Sequence, residues 1–320
     1  HGEVIRDLRR RIETGDLRHG RGAERSANIR IDYIRRLSDA LPLTKPCKVV
    51  VDCGNAIAAR TAPPLLRALG CEVVELFCEV DGRFPNHHPD PSIPDNLADL
   101  QAAVRKHGAD IGLAFDGDAD RLGVVTDAGE IVWPDRVLMP LAEEVLVQHP
   151  GAAVVYDVKC SRHLTGLIER LGGQPILWKT GHSLIKAKMR ETGALLGGEM
   201  TGHFVHADDW FGFDDAFYAA ARLLRLLARR GVSSAEFFAA WPTGLNTPEL
   251  RLDMAEGEPF AFMARLAARA DFGPDARLIT LDGLRVEFPC GWGLVRASNT
   301  TPSLTLRFEA DDPVAMADIQ

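Results

Sequence analysis

Long apolar runs are missing from this sequence of 320 residues, and no stretch approaches the ~20 residues that a membrane-spanning helix needs. No signal-peptide pattern stands at its start. Cys-x-x-Cys spacing is missing too, and most of the six cysteines lie in or beside apolar strand patterns, which favours reduced core thiols. The net charge is −8, so no overall positive field attracts nucleic acid. We therefore expect a cytoplasmic globular protein that inserts into no membrane and binds no nucleic acid.

Apolar strand patterns and amphipathic helix patterns alternate from residue 45 to residue 243. This order is typical of mostly parallel sheets with helices on both faces. The alternation restarts after residue 130, which indicates two units of the same kind, and beyond residue 243 it gives way to several strands with one helix. We predict an α/β fold: two related units with mostly parallel mixed sheets flanked by helices, and a smaller C-terminal α+β domain. The predicted domains are 28–130, 131–243 and 244–320.

Two predicted helices carry specific expectations. The first, at 3–13, places its apolar residues on one face. The second, at 213–230, would bury a stripe that begins with Phe213, and Asp214 and Asp215 would suit its N-terminus.

A proline-rich segment at 81–91 interrupts the first unit, and its composition excludes both a helix and a central strand. His87 and His88 could bind a metal, but neighbouring side chains of an extended segment point apart. We predict a structural loop.

Three carboxylates alternate with small residues in an Asp-Gly-Asp-Ala-Asp-Arg loop between two predicted strands. Asp116, Asp118 and Asp120 can turn their oxygens toward one point, where they repel one another without a cation and suit Mg²⁺ or Ca²⁺. An EF-hand starts in the same way but needs glycine and glutamate where Arg121 and Asp127 stand. A solvated acidic turn is the remaining alternative. Arg121 favours the metal site, because a fixed cation beside a bound metal indicates an anionic ligand such as phosphate.

Further polar loops follow predicted strands or open predicted helices, where ligands usually bind in α/β proteins. Each of them alone is explained by caps and turns, but together they offer cations, a carboxylate and hydroxyls, as a phosphorylated sugar requires. In the last domain, a polar turn between two strands is either a phosphate cradle, which we favour, or a plain hairpin turn. The candidate residues are Lys159, then Thr180, Gly181 and His182, then Glu199, Thr201 and His203, and finally Arg296, Ser298, Asn299 and Thr300.

These motifs, in this order, resemble the α-D-phosphohexomutases, and within them the bacterial phosphomannomutase/phosphoglucomutase branch. The resemblance implies three related α/β units and a smaller C-terminal domain in the whole enzyme. It also implies interconversion of hexose 1-phosphate and hexose 6-phosphate through a bisphosphorylated intermediate. The expected partners are therefore a phosphohexose and hexose 1,6-bisphosphate, and we expect a monomer.

The resemblance also implies a role for each candidate residue. Asp116, Asp118 and Asp120 would hold Mg²⁺, and Arg121 would lie near the phosphoryl group in flight. His203 would lie near the reacting centre, and Arg121, His203 and Lys159 would be the catalytic residues. The remaining roles are substrate contacts by Lys159, Thr180, Gly181 and His182, contacts with the sugar 3- and 4-hydroxyls by Glu199 and Thr201, and binding of the non-reacting phosphate by Arg296, Ser298, Asn299 and Thr300.

Three departures from the family pattern stand out. Ala119 replaces a common glycine, and Thr201 replaces the commoner serine but keeps the hydroxyl. The family's phosphoserine motif, Thr-Ala-Ser-His-Asn-Pro, does not occur in these 320 residues. By the resemblance, residues 1–27 would be the remnant of a first domain and a linker, and the last helix would be cut short.

The sequence therefore predicts a phosphohexomutase for mannose and glucose phosphates, in which these 320 residues alone are inactive because they contain no phosphoserine. One alternative is a non-catalytic module or fragment that binds sugar phosphate. Another is a metal-dependent sugar phosphatase with an aspartate of the 116–120 loop as nucleophile.

Overall fold

Three β-sheets follow one another along the chain in the computed structural model, which describes residues 2–298 and 301–320, except for the side chains of residues 2 and 3. In the described part, no helix is both long enough and apolar enough to cross a membrane. All six cysteines are free thiols, four of them buried and two half-buried, as predicted.

The first sheet has the strand order β2-β1-β3-β4-β5, with β1 parallel to both β2 and β3 and with β3-β4-β5 antiparallel. Its central strands are buried on both faces, which explains their runs of valine, leucine and isoleucine. The strands are β1 Lys48–Asp52, β2 Glu72–Leu76, β3 Ile111–Phe115, β4 Leu122–Thr126 and β5 Ile131–Val132. The helices up to this point are α1 Gly2–Thr14, α2 Arg30–Ala40, α3 Ala62–Ala68 and α4 Ala98–His107.

The second sheet repeats this topology, with the order β7-β6-β8-β9, two parallel pairs around β6 and an antiparallel last strand. The prediction of two related α/β units is thereby confirmed. The strands are β6 Ala153–Asp157, β7 Gln174–Trp178, β8 Leu196–Gly198 and β9 Phe204–His206. The helices are α5 Pro134–Gln148, α6 Arg162–Arg170, α7 His182–Thr192, α8 Ala216–Arg230 and α9 Ser234–Ala239.

The third sheet is wholly antiparallel, as expected for the smaller α+β domain. Its strands are β10 Leu245–Asn246, β11 Leu250–Asp253, β12 Arg277–Ile279, β13 Leu284–Phe288, β14 Gly291–Ala297 and β15 Ser303–Ala310. Its helices are α10 Glu258–Arg269 and α11 Pro313–Ile319.

The first two units share one continuous apolar core. Helices α5 and α8 pack against β4 of the first sheet and also against strands of the second sheet. The third sheet is joined to the second by two buried arginines. Arg285 donates to the carbonyls of Val158 and Cys160, at 2.7 Å each, and Arg307 donates to the carbonyl of Lys159. Three consecutive carbonyls after β6 are thus fixed by the third sheet.

The structure differs from the prediction in where helix α8 begins, and it shows that the apolar face of helix α1 is exposed. Helix α8 begins at Ala216, not at residue 213, because the side chain of Asp215 caps it by accepting from the Tyr218 N–H at 3.0 Å. Phe213 therefore lies outside the helix and is 41% exposed. Helix α1 forms as predicted, but its apolar face, including Ile5 and Ile12, is exposed in the described chain.

Candidate functional site

The predicted aspartate loop joins β3 to β4 as a tight hairpin. Asp116 shapes it, because its Oδ1 accepts the backbone N–H groups of Asp120 at 3.0 Å and Arg121 at 3.1 Å. Ala119 has a φ of 67°, in the left-handed region that favours glycine. The alanine thus tolerates the conformation for which many family members use glycine, and the loop is intact.

The three loop carboxylates converge, since one oxygen each from Asp116, Asp118 and Asp120 lie within 4.8 Å of one another. Asp118 is exposed and Asp116 is buried. Burial, together with the negative charges of Asp120 and Asp118, raises the pKa of Asp116 to about 7, despite hydrogen bonding from the Arg121 backbone. A bound cation would remove this repulsion, so the donor set fits a hard divalent metal ion.

A second loop is joined to the aspartate hairpin through the backbone. Arg121 and His203 form a β-bridge, and the N–H of Leu122 donates to the carbonyl of Gly202 at 3.0 Å. Gly202 has a φ of 101°, and a Cβ there would approach the Leu122 carbonyl oxygen to 3.0 Å. Only glycine suits this contact, which brings Glu199 close to the aspartate loop.

His203 is the buried centre of the site. Its Nε2 lies 3.3 Å from an oxygen of Asp120, and its Nδ1 lies 2.9 Å from an oxygen of Glu199. Burial alone would lower the pKa of His203, but the hydrogen bonds and charges of Asp120 and Glu199 outweigh burial and raise the pKa to about 9. The Nε atom of Arg121 lies 3.3 Å from His203 Nε2. Two cationic groups this close favour an anionic ligand.

The loop before α7 is held by carboxylates. The backbone N–H of Thr180 donates to Asp282 at 2.9 Å, and that of Gly181 donates to Glu199 at 2.5 Å. Acidic side chains of the chain itself therefore accept from these two amides. The side chains of Thr180 and His182 still line the cavity described below.

Lys159 follows β6 and is buried. Its Nζ lies 2.8 Å from Glu249, near the start of the third domain, and 3.9 Å from Asp157. Burial would lower the pKa of Lys159, but the charges of Asp157 and Glu249 outweigh burial and raise it. Lys159 therefore carries its positive charge at the boundary between the second and third sheets.

The polar turn between β14 and β15 lies in the third domain. Arg296 forms an ion pair with Asp282 at 3.2 Å, and Ser298 takes part in the turn through its backbone N–H, which donates to the Ser303 carbonyl at 2.9 Å. Asn299 and Thr300 lie outside the described residues.

The loops from all three sheets meet around one cavity of about 500 Å³. Every described residue that was predicted to act on the substrate lines it. These residues are Arg121, Lys159, Thr180, Gly181, His182, Glu199, Thr201, His203, Arg296 and Ser298.

Sequence reasoning missed several residues that line this cavity or support its walls. His87 is structural as predicted, with Nε2 3.0 Å from Asp52, but the same loop carries Asp90 to the cavity, 3.9 Å from Arg121. The contact of Glu249 with Lys159 was also missed. Asp214 was assigned to a helix terminus, and its contact with His182 was missed.

The comparisons with known proteins agree with this geometry. The family models for phosphoglucomutase/phosphomannomutase match three consecutive segments: α/β/α domain II over 31–129, α/β/α domain III over 133–243 and the C-terminal domain over 249–320. The chain belongs to the phosphoglucomutase/phosphomannomutase family. The resemblance inferred from the motifs is thereby confirmed.

Named members of the phosphoglucomutase/phosphomannomutase family are close relatives. The phosphomannomutase/phosphoglucomutase of Pseudomonas aeruginosa is 54% identical over 97% of this chain and 66% of its own length. The phosphoglucomutase of Neisseria gonorrhoeae is 49% identical over 100% of this chain and 70% of its own length. A crystal structure of a family protein from Burkholderia thailandensis superposes with a TM-score of 0.95 at 49% identity, over 100% of this chain and 68% of that chain. The chain thus spans about two thirds of the length of the relatives it matches.

Proposed function

We propose that this chain is the metal-binding and sugar-phosphate-binding part of a phosphohexomutase that interconverts hexose 1-phosphate and hexose 6-phosphate, with mannose and glucose as the sugars. The observation that carries the proposal is the shared cavity. Arg121 comes from the first sheet, Glu199 and His203 come from the second sheet, and Arg296 comes from the third. Only a ligand with an anionic group and several hydroxyls uses all of these groups.

Asp116, Asp118 and Asp120 would hold Mg²⁺, which would act as a Lewis acid on a phosphoryl oxygen when bound. Beside them, Arg121 and a protonated His203 would neutralise the negative charge of that phosphoryl group.

The sugar and its second phosphate would lie along the rest of the cavity. Glu199 accepts hydrogen bonds and Thr201 can donate one, which suits neighbouring sugar hydroxyls. Arg296 and Ser298 would bind the phosphate that does not react, and Asn299 and Thr300 belong to the same proposal from their sequence positions. Thr180, Gly181, His182 and Lys159 complete the substrate-binding set.

The proposal includes a hexose 1,6-bisphosphate intermediate that stays in or returns to this site. Formation of that intermediate requires a phosphoryl donor, which is the phosphoserine of the resembled family, and these 320 residues contain no such motif. We therefore expect this chain to bind substrate without turnover. The division into domains at 28–130, 131–243 and 244–320, the monomeric state and the cytoplasmic location belong to the same proposal.

Calorimetric titration with glucose 6-phosphate and mannose 6-phosphate, in the presence of Mg²⁺, tests the binding function. Arg296→Met should weaken binding of both sugars, whereas Arg277→Met, an exposed arginine of the same sheet, should not. Equal affinities of the wild type and Arg296→Met would contradict the placement of the phosphate.

The same preparation separates the alternatives. Release of inorganic phosphate that Asp116→Asn abolishes would support a sugar phosphatase. Tight binding with no turnover, even after a separately supplied phosphoserine domain of a relative is added, would support a non-catalytic module. Turnover restored by that domain would support the mutase.

A further inference from the structure

Asp214 lies behind the candidate site in a rigid setting. Its backbone forms a β-bridge with Val205 of β9. The next residue, Asp215, caps α8 and also accepts from the Tyr33 hydroxyl at 2.8 Å and from Trp210 Nε1 at 2.8 Å. The position of Asp214 is therefore fixed by its own backbone bridge and by the contacts of the residue that follows it.

The carboxylate of Asp214 faces α7 and contacts two residues of that helix. One oxygen lies within hydrogen-bond distance of His182 Nδ1, and the other accepts from Lys186 Nζ at 2.5 Å. The side chain of Asp214 is only 8% exposed. Burial would raise the pKa of Asp214, but the hydrogen bonds from Lys186 and His182 outweigh burial and lower it. The carboxylate is thus an ionised acceptor aimed at the imidazole.

The ring of His182 has little freedom left. One face stacks on the ring of His203, with centroids 5.1 Å apart and planes 21° apart. Its Nδ1 edge is held by Asp214, while the side chain as a whole is 45% exposed and lines the cavity. Nε2 is the ring nitrogen that Asp214 leaves available to a ligand, and its contact with Ser183 Oγ is long, at 3.5 Å.

We propose that Asp214 is a positioning residue that keeps the His182 proton on Nδ1 and turns Nε2 toward the bound sugar. An ionised acceptor at Nδ1 selects the tautomer in which Nε2 has a free lone pair. His182 then accepts a hydrogen bond from a hydroxyl of the hexose phosphate. The contact between His182 and a sugar hydroxyl rests on the proposed function. The tautomer of His182 is independent of the proposed function.

The tautomer is measured first, in the wild-type chain without ligand. Long-range ¹H–¹⁵N spectra of a chain labelled at histidine report which ring nitrogen carries the proton, and His182→Gln identifies the signals of His182 by their loss. We expect the neutral imidazole of His182 to carry its proton on Nδ1. A proton on Nε2 with a bare Nδ1 would overturn the proposal, and this test needs no variant of Asp214.

Two variants of Asp214 then separate positioning from general structure. Asp214→Leu removes both acceptors and should abolish the Nδ1 preference. It should also weaken glucose 6-phosphate binding about tenfold, the effect of one hydrogen bond. Asp214→Asn keeps one oxygen acceptor, so this variant should retain most of the Nδ1 preference and most of the affinity for glucose 6-phosphate. Asp209→Asn, an exposed neighbour, serves as the control.

A double variant completes the test. Because Asp214 acts through His182, Asp214→Leu should cost nothing further in His182→Gln. Additive losses, or a loss of affinity with an unchanged His182 tautomer, would contradict positioning. If Asp214→Leu fails to fold, the wild-type tautomer and Asp214→Asn decide the matter. If no protein binds sugar phosphate but the Nδ1 proton is present, the proposed function fails and the positioning of His182 stands.

Discussion

Binding of Mg²⁺ to the aspartate loop should weaken strongly between pH 8 and pH 6. Asp116 must be ionised to serve as a metal ligand, and its pKa in the metal-free chain is raised to about 7 by burial and by the neighbouring carboxylates. Acidification therefore places a proton where the metal must bind. His203 has a pKa of about 9 and stays largely protonated across this range, so its charge changes little.

The magnitude follows from the fraction of chains with an ionised Asp116. That fraction is about 1/11 at pH 6 and about 10/11 at pH 8, and the apparent dissociation constant is divided by it. The affinity for Mg²⁺ should therefore fall about tenfold from pH 8 to pH 6. An unperturbed aspartate, with a pKa of about 3.9, would give almost no change over this range.

The raised pKa of Asp116 also makes the stability of the fold depend on pH. The folded pKa of Asp116 lies above its unfolded value, so the metal-free fold loses stability as the pH rises from about 4 to about 7. Added Mg²⁺ removes this cost only where Asp116 is ionised. The rise in melting temperature on addition of Mg²⁺ should therefore be larger at pH 8 than at pH 6.

Calorimetric titration of the chain with MgCl₂ at the two pH values, in buffers of different ionisation enthalpy, measures both the affinity and the protons released. At pH 6 each bound ion should release close to one proton, and at pH 8 only about a tenth of a proton. Asp118→Asn should weaken binding at both pH values but keep the pH dependence, because Asp116 remains. Equal affinity at pH 6 and pH 8, or binding without proton release, would refute the reasoning.

Two substitutions and one activity measurement give three further predictions. Arg222→Met should lower the free energy of unfolding by about 3 kcal/mol in urea titrations, because buried Asp208 loses its ion pair at 2.8 Å and buried Glu144 keeps only Arg225 and Arg229 of its three arginines; an unchanged midpoint would contradict this. Arg296→Met should weaken hexose-phosphate binding at least tenfold in calorimetry, since a charged hydrogen bond contributes about 1.5–3 kcal/mol; an unchanged dissociation constant would place the phosphate elsewhere. The 320 residues alone should show no conversion of glucose 1-phosphate in a coupled assay, and substantial conversion would show that the missing phosphoserine is not needed.

The main elements were predictable because local patterns and long-range packing agree. The central strands β1 and β6 are short, rich in valine and buried on both faces, so their sequence differs clearly from that of the flanking amphipathic helices. The aspartate loop was predictable for a similar reason, since its three carboxylates are neighbours in sequence. Residues that lie close along the chain can be placed together without knowledge of the fold.

The partners of these residues were not predictable, because they come from other elements. Asp214 was assigned to a helix terminus, but Asp215 caps α8 and leaves Asp214 free to hold His182 and Lys186 of α7. Likewise, Glu249 reaches Lys159 across the boundary between two sheets. No spacing rule in the sequence indicates either contact.

A crystal structure of this chain soaked with Mg²⁺ and glucose 6-phosphate tests the central claim most directly. We expect the metal on Asp116, Asp118 and Asp120, sugar hydroxyls at Glu199 and Thr201, and a phosphate at Arg296 and Ser298. A sugar phosphate bound outside this cavity, or a cavity that stays empty while the metal binds elsewhere, would contradict it.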